Sequence, residues 1–406
     1  YGNQRGFAVF VKQRIRLFVF FLFSFVTLLI LTRVFVNPGN VFSADKANDK
    51  DWILASSGSK QAGGIRSLHR DLAEELSRKA EAIELTDYSK PTAVANYAKN
   101  IEYVGNIGGS TKAVDVQGNY AYVSEGFVLT ILDISNLTDP MVVSKTVLPF
   151  ELSDIEIVGE FAYVAAGFRG LRIFNVSNPS EPVETGFFAS WAVGLAVDGI
   201  YVYVADPQNG VRIIDVSNPT APVEVGYYGE GAIDVAVAGD YAYVTISLCY
   251  DCQQGLLILN VADKAHPTRK GFLKTGNPQA TAVTGNYAYV ADGFYGLRII
   301  DVTDPAVPSE TSVLDTSGYA LDVTVVDNYA YIADRESGLS IVDIANPASP
   351  AVRGSYDTPG SAFSLDVVGD YAYIADGPDG LQIADISDPD MPVKTGAYDP
   401  PGYALA

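Results

Sequence analysis

The chain has 406 residues, 48% apolar and 18% charged, enough for a sizeable core and for two or three average domains or one regular β architecture. Its 48 acidic and 27 basic residues give a net charge of -21, and because the first fifty residues are basic, the remainder stands at -26. Such a surface repels phosphate backbones and anionic headgroups, so nucleic acid is excluded as an expected partner and membrane contact is left to the N-terminal segment.

In chain order the first element is an address. Leu17 to Thr32 is uncharged and follows Lys12, Arg14 and Arg16. A positive flank before an apolar run describes an export signal, and a small-residue cleavage site fits around Val41 and Ser43. The run is slightly short of the roughly 20 residues of a comfortable span, although continuing past Arg33 lengthens it into an uncleaved anchor. Residues 1–44 are therefore expected to export the chain to the periplasm, cell surface or medium, or to tether it there. Residues 45–100 form a polar linker in which Ile65, Leu68, Leu72, Leu76, Ala80 and Ile83 recur at spacings of three and four. That spacing predicts an amphipathic helix over 65–84.

From residue 101 onward the chain repeats itself. An aromatic-x-aromatic-aliphatic core begins at Tyr120, Phe161, Tyr201, Tyr241, Tyr287, Tyr329 and Tyr371, at intervals of 41, 40, 40, 46, 42 and 42 residues. A period near forty marks a unit that cannot bury its face alone. In the third unit four short runs, Val193 to Val197, Tyr201 to Ala205, Val211 to Val216 and Val223 to Tyr227, are punctuated by Gly, Asp, Asn and Pro. Four strands per unit, repeated radially, make an all-β propeller of four-stranded blades. Within "YAYVAD" the Tyr side chains alternate with Ala and Val, so a bulky face of one blade can pack on a small face of the next, and these tyrosines are expected in the core.

The third-strand signatures "LRIFNVS", "VRIIDVS", "LRIIDVT", "LSIVDIA" and "LQIADIS", followed by Asn-Pro or Asp-Pro, resemble the LVIVD repeat of bacterial and archaeal surface proteins. The resemblance covers residues 101–406 and implies a propeller, export and a surface location. It brings no agreed catalytic site. The first unit ("LTILDIS") and the fourth ("LLILNVA", after an insertion) depart from the pattern. "IEYVGNIGG" at 101–109 reads as an isolated fourth strand and "PGYALA" at 401–406 as an interrupted first strand. Seven complete repeats with an eighth blade truncated at the C-terminus are therefore expected, with a seven-bladed ring as the alternative.

Acidic residues recur at three places in the unit. Glu125, Asp206, Asp292, Asp334 and Asp376 follow the second strand, and Asp115, Asp154, Asp234, Asp322 and Asp366 lie near the first. A ring of carboxylates can hold Ca²⁺ through oxygen ligands, and Asp206, Asp292, Asp334 and Asp376 are the candidate set. The competing explanation is turn chemistry, because Asp caps its own backbone in tight turns and no local DxDxDG string exists. Asp133, Asp215, Asp301, Asp343 and Asp385 alternate with Asn175 and Asn260 at the end of the third strand, which marks that position as structural. Cys249 and Cys252, the sole cysteines, sit in the insertion and are expected to form a local disulfide, since a zinc site would lack partners.

With His69 and His266 the sole histidines, and no phosphate loop or nucleophile elbow, no catalytic residue can be named. The expected function is a non-catalytic surface or secreted module binding protein or glycan through rim loops. The alternative is an extracellular hydrolase or lyase using rim carboxylates.

Overall fold

The computed structural model describes residues 109–246 and 254–400. These contain seven four-stranded antiparallel sheets, each a meander of consecutive strands. Blade 5 is typical, with strands Ala280–Thr284, Tyr287–Ala291, Leu297–Asp301 and Ser309–Leu314 from the inside outward. The proposed 65–84 helix, the N-terminal apolar run and the strand at 101–108 lie outside the described residues. Among those described, no helix is long and apolar enough to cross a membrane.

The Tyr-x-Tyr alternation sets how blades stack. Tyr289 pairs with Ile299 on one face of blade 5, and Ala288 pairs with Ile300 on the other. The Tyr289, Leu297 and Ile299 face packs on Ala330, Ile332 and Val342 of blade 6. Strand side chains point alternately to the two faces, so one short motif supplies both halves of every interface. Tyr203, the corresponding ring of blade 3, is completely buried.

Blades 7 and 1 meet through the same surfaces. Tyr373, Leu381 and Ile383 of blade 7 pack on Ala121, Val123 and Leu132 of blade 1. Thr111 N–H donates to the Gly377 carbonyl at 2.9 Å, and Gly377 N–H donates to that of Thr111 at 3.1 Å. The ring is therefore closed by seven blades, which corrects the expectation of an eighth. Both ends of the repeat array already present a complete blade face, so no composite blade is needed.

Every outer strand carries a bulge opposite the third strand, as between Ile299 and Ile300. Bulges twist an exposed edge away from flat pairing with other chains. Opposite the same third-strand Ile, five blades place Gly and two place Ser. A Cβ at Gly396 would collide with the Leu137 carbonyl of blade 1. Where Ser stands instead, its hydroxyl bonds the corresponding carbonyl, Ser144 to Pro179 at 2.7 Å and Ser312 to Pro347 at 2.6 Å. Gly396→Ala should thus destabilise the closing interface by about 1–3 kcal/mol, the usual cost of overpacking. An unchanged urea midpoint would show that the neighbouring loop yields freely.

Candidate functional site

The three acidic sets have three different jobs. At the end of the third strand the side-chain oxygen of each Asp or Asn accepts the N–H two residues on: Ser135 donates to Asp133 at 2.8 Å, Ser177 to Asn175 at 3.1 Å and Ala262 to Asn260 at 3.2 Å. Asp215, Asp301, Asp343 and Asp385 accept likewise from Ser217, Thr303, Ala345 and Ser387. An amide oxygen serves as well as a carboxylate for this bond, which explains the interchange.

The acids after the second strand are each held within their own blade and its adjoining loop, with no exposed surface. Asp206 accepts from the N–H groups of Gln208 and Asn209, both at 2.9 Å, and pairs with Arg212. Burial raises its pKa, but the Asn209 side chain and the converging N–H groups outweigh burial and hold it below the usual carboxylate range. Asp292 receives Asn277 N–H at 2.7 Å, Gly276 N–H at 3.1 Å and Arg298 at 2.7 Å. Asp334 and Asp376 take hydroxyl groups instead, from Thr316 at 2.8 Å and Thr358 at 2.5 Å. Burial pushes Asp376 up to about 6. Glu125 pairs with Lys145 at 2.9 Å. The candidate calcium set Asp206, Asp292, Asp334 and Asp376 is therefore not brought together. Among the described residues no three His, Cys, Asp or Glu side chains are grouped to hold a metal.

The third-strand residue beside this acid differs between blades: Arg in blades 3 and 5, Thr130 in blade 1, Ser340 in blade 6 and Gln382 in blade 7. Where blade 4 has Ile246 it also has Leu257, both buried. Blade 2 has Ala166, and its Arg172 turns to Glu184 at 2.9 Å with the guanidinium between Phe150 and Phe187. Each buried acid keeps a polar or charged partner, while blade 4 dispenses with both charges and blade 2 keeps its arginine on a different acid.

The inner-strand acids form two layers facing the axis. Aligning each inner strand on its pairing with the second strand places Asp154, Asp234 and Asp322 in one layer, in blades 2, 4 and 6. Asp115, Glu156 and Asp366, opposite the buried Tyr122, Tyr163 and Tyr373, occupy the other, in blades 1, 2 and 7. Glu156 escaped the sequence reading. Its equivalents are Ala196, Ala236, Ala282 and Thr324, so the recurring-Asp pattern does not reveal it.

Each inner strand is a sheet edge, and its outward N–H groups need acceptors. Asp154 accepts its neighbour Ile155 N–H at 2.8 Å with one oxygen and Leu195 N–H of blade 3 at 2.8 Å with the other. Asp322 does the same with Val323 at 2.8 Å and Leu365 of blade 7 at 3.0 Å. Asp234 joins Val235 to Thr281 of blade 5. Three carboxylates at alternate blades thus serve six blades, and an odd ring leaves blade 1 over. The second layer covers it: Asp366 reaches Val116 at 3.0 Å, and Asp115 reaches Ile157 at 2.5 Å. Glu156 adds a bond from Val197 of blade 3.

Desolvation dominates the acidity of this double layer, and mutual repulsion adds to it. Asp154 is pushed up to about 6, with Asp322 contributing across the ring. Asp234 and Glu156 are pushed up to about 8 by burial and then by neighbouring carboxylates. Asp115 and Asp366 are also raised, first by burial, and lie within hydrogen-bonding reach of each other.

The remaining feature is apolar. The connections between second and third strands, and those from each outer strand to the next blade, share one face of an antiparallel meander. On that face Phe127, Phe168, Phe294 and Tyr295 are exposed. Phe168 stacks on Trp191 with centroids 4.4 Å apart, and Phe294 meets Tyr319 edge-on at 4.5 Å. The sequence reading passed over these rings; the signal was Phe at a tight-turn tip in "AGFRG" and "DGFYG", repeated in the shorter turn "EGFV" of unit 1, where units 3, 6 and 7 have Gln, Glu and Pro. The Cys249–Cys252 insertion belongs to the same class of connection but lies outside the described residues.

Fold and repeat together define a seven-bladed β-propeller built from one sheet per repeat. The LVIVD repeat family model matches at 108–146, 151–190, 191–230, 229–275, 275–316, 317–358 and 359–400, and the chain belongs to that family. No curated protein matches. Among solved structures, the computationally designed Ika8 protein is similar with TM-score 0.54 at 9% identity, over 74% of this chain and 91% of that one. BamB from Moraxella catarrhalis gives TM-score 0.46 at 13% identity, over 68% and 82%. The likeness to Ika8 is one of fold alone.

Proposed function

We propose that this protein is a non-catalytic interaction module, exported to the cell surface or secreted, that binds protein or glycan through the loops of one propeller face. The observation that carries the reading is the placement of Phe168 and Phe294, 77% and 74% exposed at turn tips of that face. Large aromatic rings held out on a rigid scaffold supply contact area at little conformational cost. The axial carboxylates favour binding over the hydrolase alternative, because their oxygens are engaged with inner-strand N–H groups and act as structural clasps.

Retention of the full chain on envelope preparations of the producing organism tests this. Phe168→Ser combined with Phe294→Ser should lower retention at least tenfold, on the order of 1.4 kcal/mol. Ile200→Ser, on the opposite face in the turn between Asp198 and Tyr201, should leave it unchanged. Equal retention of all three proteins would remove the aromatic face from consideration.

A further inference from the structure

The two aromatic pairs occupy the same positions in their repeats, although the rings stack in blade 2 and meet edge-on in blade 5. Phe168 and Phe294 hold the same place in the turns Gly167–Gly170 and Gly293–Gly296, and Trp191 and Tyr319 hold the same place in the loops that follow their blades. In both, backbone bonding fixes turn to loop: Ala192 N–H donates to the Gly167 carbonyl at 2.9 Å, and Ala320 N–H to the Gly293 carbonyl at 3.1 Å. Blade 6 makes this bridge without an aromatic tip, through Ala362 N–H and the Arg335 carbonyl at 2.9 Å. The rings are therefore not required by the bridge.

We propose that Phe168 with Trp191 and Phe294 with Tyr319 are two separate platforms for sugar rings of a single neutral polysaccharide chain. This rests on the interaction-module reading above and names its ligand. Two exposed aromatic pairs at equivalent positions of blades 2 and 5 suit a ligand that repeats its own chemistry, and a polysaccharide offers the same apolar ring face at intervals. Polar groups border the second platform: Asn277 donates to the Tyr319 hydroxyl at 2.5 Å, and the Arg335 guanidinium lies 5.8 Å from the Tyr319 ring. Aromatic faces beside amide and guanidinium donors match the alternation of C–H and hydroxyl on a sugar. The strongly negative chain disfavours a polyanion, which makes the glycan neutral.

The test uses the full chain, envelopes of the producing organism, and the polysaccharide freed from those envelopes by protease digestion, both whole and cut to short oligosaccharides. Periodate oxidation of the envelope should abolish the retention that depends on Phe168 and Phe294, and protease treatment should spare it. The whole polysaccharide should bind at least 10²-fold more tightly than the short fragments, because engaging both platforms adds avidity. Phe168→Ser alone and Phe294→Ser alone should each erase that length preference, with melting temperatures unchanged. Retention that is lost to protease and survives periodate would overturn the glycan and leave the interaction-module reading standing. A length preference that survives in either single variant, or none in the unmodified chain, would overturn the two-platform ligand. Retention indifferent to both rings would sink that reading and this inference together.

Discussion

Asp292→Ala is expected to destabilise the propeller by about 3–5 kcal/mol, the range for removing one partner of a buried ion pair. The carboxylate has no exposed surface, and its loss takes from Arg298 its buried partner, leaving it Glu310 alone, and deprives the Gly276 and Asn277 N–H groups of this acceptor. The repeat itself suggests the rescue. Blade 4 fills the corresponding two positions with Ile246 and Leu257, so Asp292→Ile with Arg298→Leu should recover more than half of the loss. Complete recovery is not expected, because the two loop N–H groups still lack their acceptor. Urea denaturation of the single and double variants gives the coupling energy directly. If the double variant costs as much as the two single changes summed, blade 4 is no guide to blade 5.

Stability should fall as the solution is made alkaline. The folded-state values of about 6 for Asp154 and about 8 for Asp234 and Glu156 lie above those of an unfolded chain, so folding holds these protons more tightly. Their contribution is fully present below about pH 4 and is lost as pH rises through the folded values, toward about 8. Asp133, Asp215, Asp301 and Asp385 act in the opposite sense. Hydrogen bonds from the residue two on, its hydroxyl first, hold them below the usual range, so their share is lost as acid protonates them. The optimum should therefore lie near pH 4–5, with Tm falling by roughly 5–10 °C between pH 5 and pH 9. Glu156→Gln and Asp234→Asn should each flatten that fall. A melting temperature that rises over the same interval would contradict the assigned environment of the axial carboxylates.

The sequence made the blade legible because one motif does the work of both faces. Tyr289 and Ala288 are adjacent letters, and their alternation already states which neighbour each will meet. The Asp and Asn exchange at Asp215 and Asn175 was equally readable, since a position that accepts an amide needs an acceptor and no charge. Closure was not readable from the end segments at 101–109 and 401–406. It was written in Tyr373 and Ala121, whose pairing repeats every internal interface. The axial acids were misgrouped because Asp115 and Asp366 were matched to Asp154 by residue type instead of by distance from the second-strand tyrosine. Phe168 and Phe294 were overlooked because turn tips were read for chain reversal, and an exposed ring leaves no periodic trace.

The carboxylate clasps do not reach every boundary. At the positions of the clasping acids blade 3 carries Gly194 and Ala196 and blade 5 carries Ala280 and Ala282, so no inner-strand carboxylate accepts a neighbouring N–H across the boundaries of blades 3 and 4 or of blades 5 and 6. The clasps therefore run through five consecutive blades, from blade 6 through blade 3, and join blades 4 and 5 as a separate pair. Phe168 lies in the run of five and Phe294 in the pair. The two boundaries without a clasp rest on core packing together with the Lys264–Asp198 pair in one and the Ser312 bond to the Pro347 carbonyl in the other. The ring is thus sewn twice over at five of its seven seams, by core packing and by carboxylate, and once at the other two.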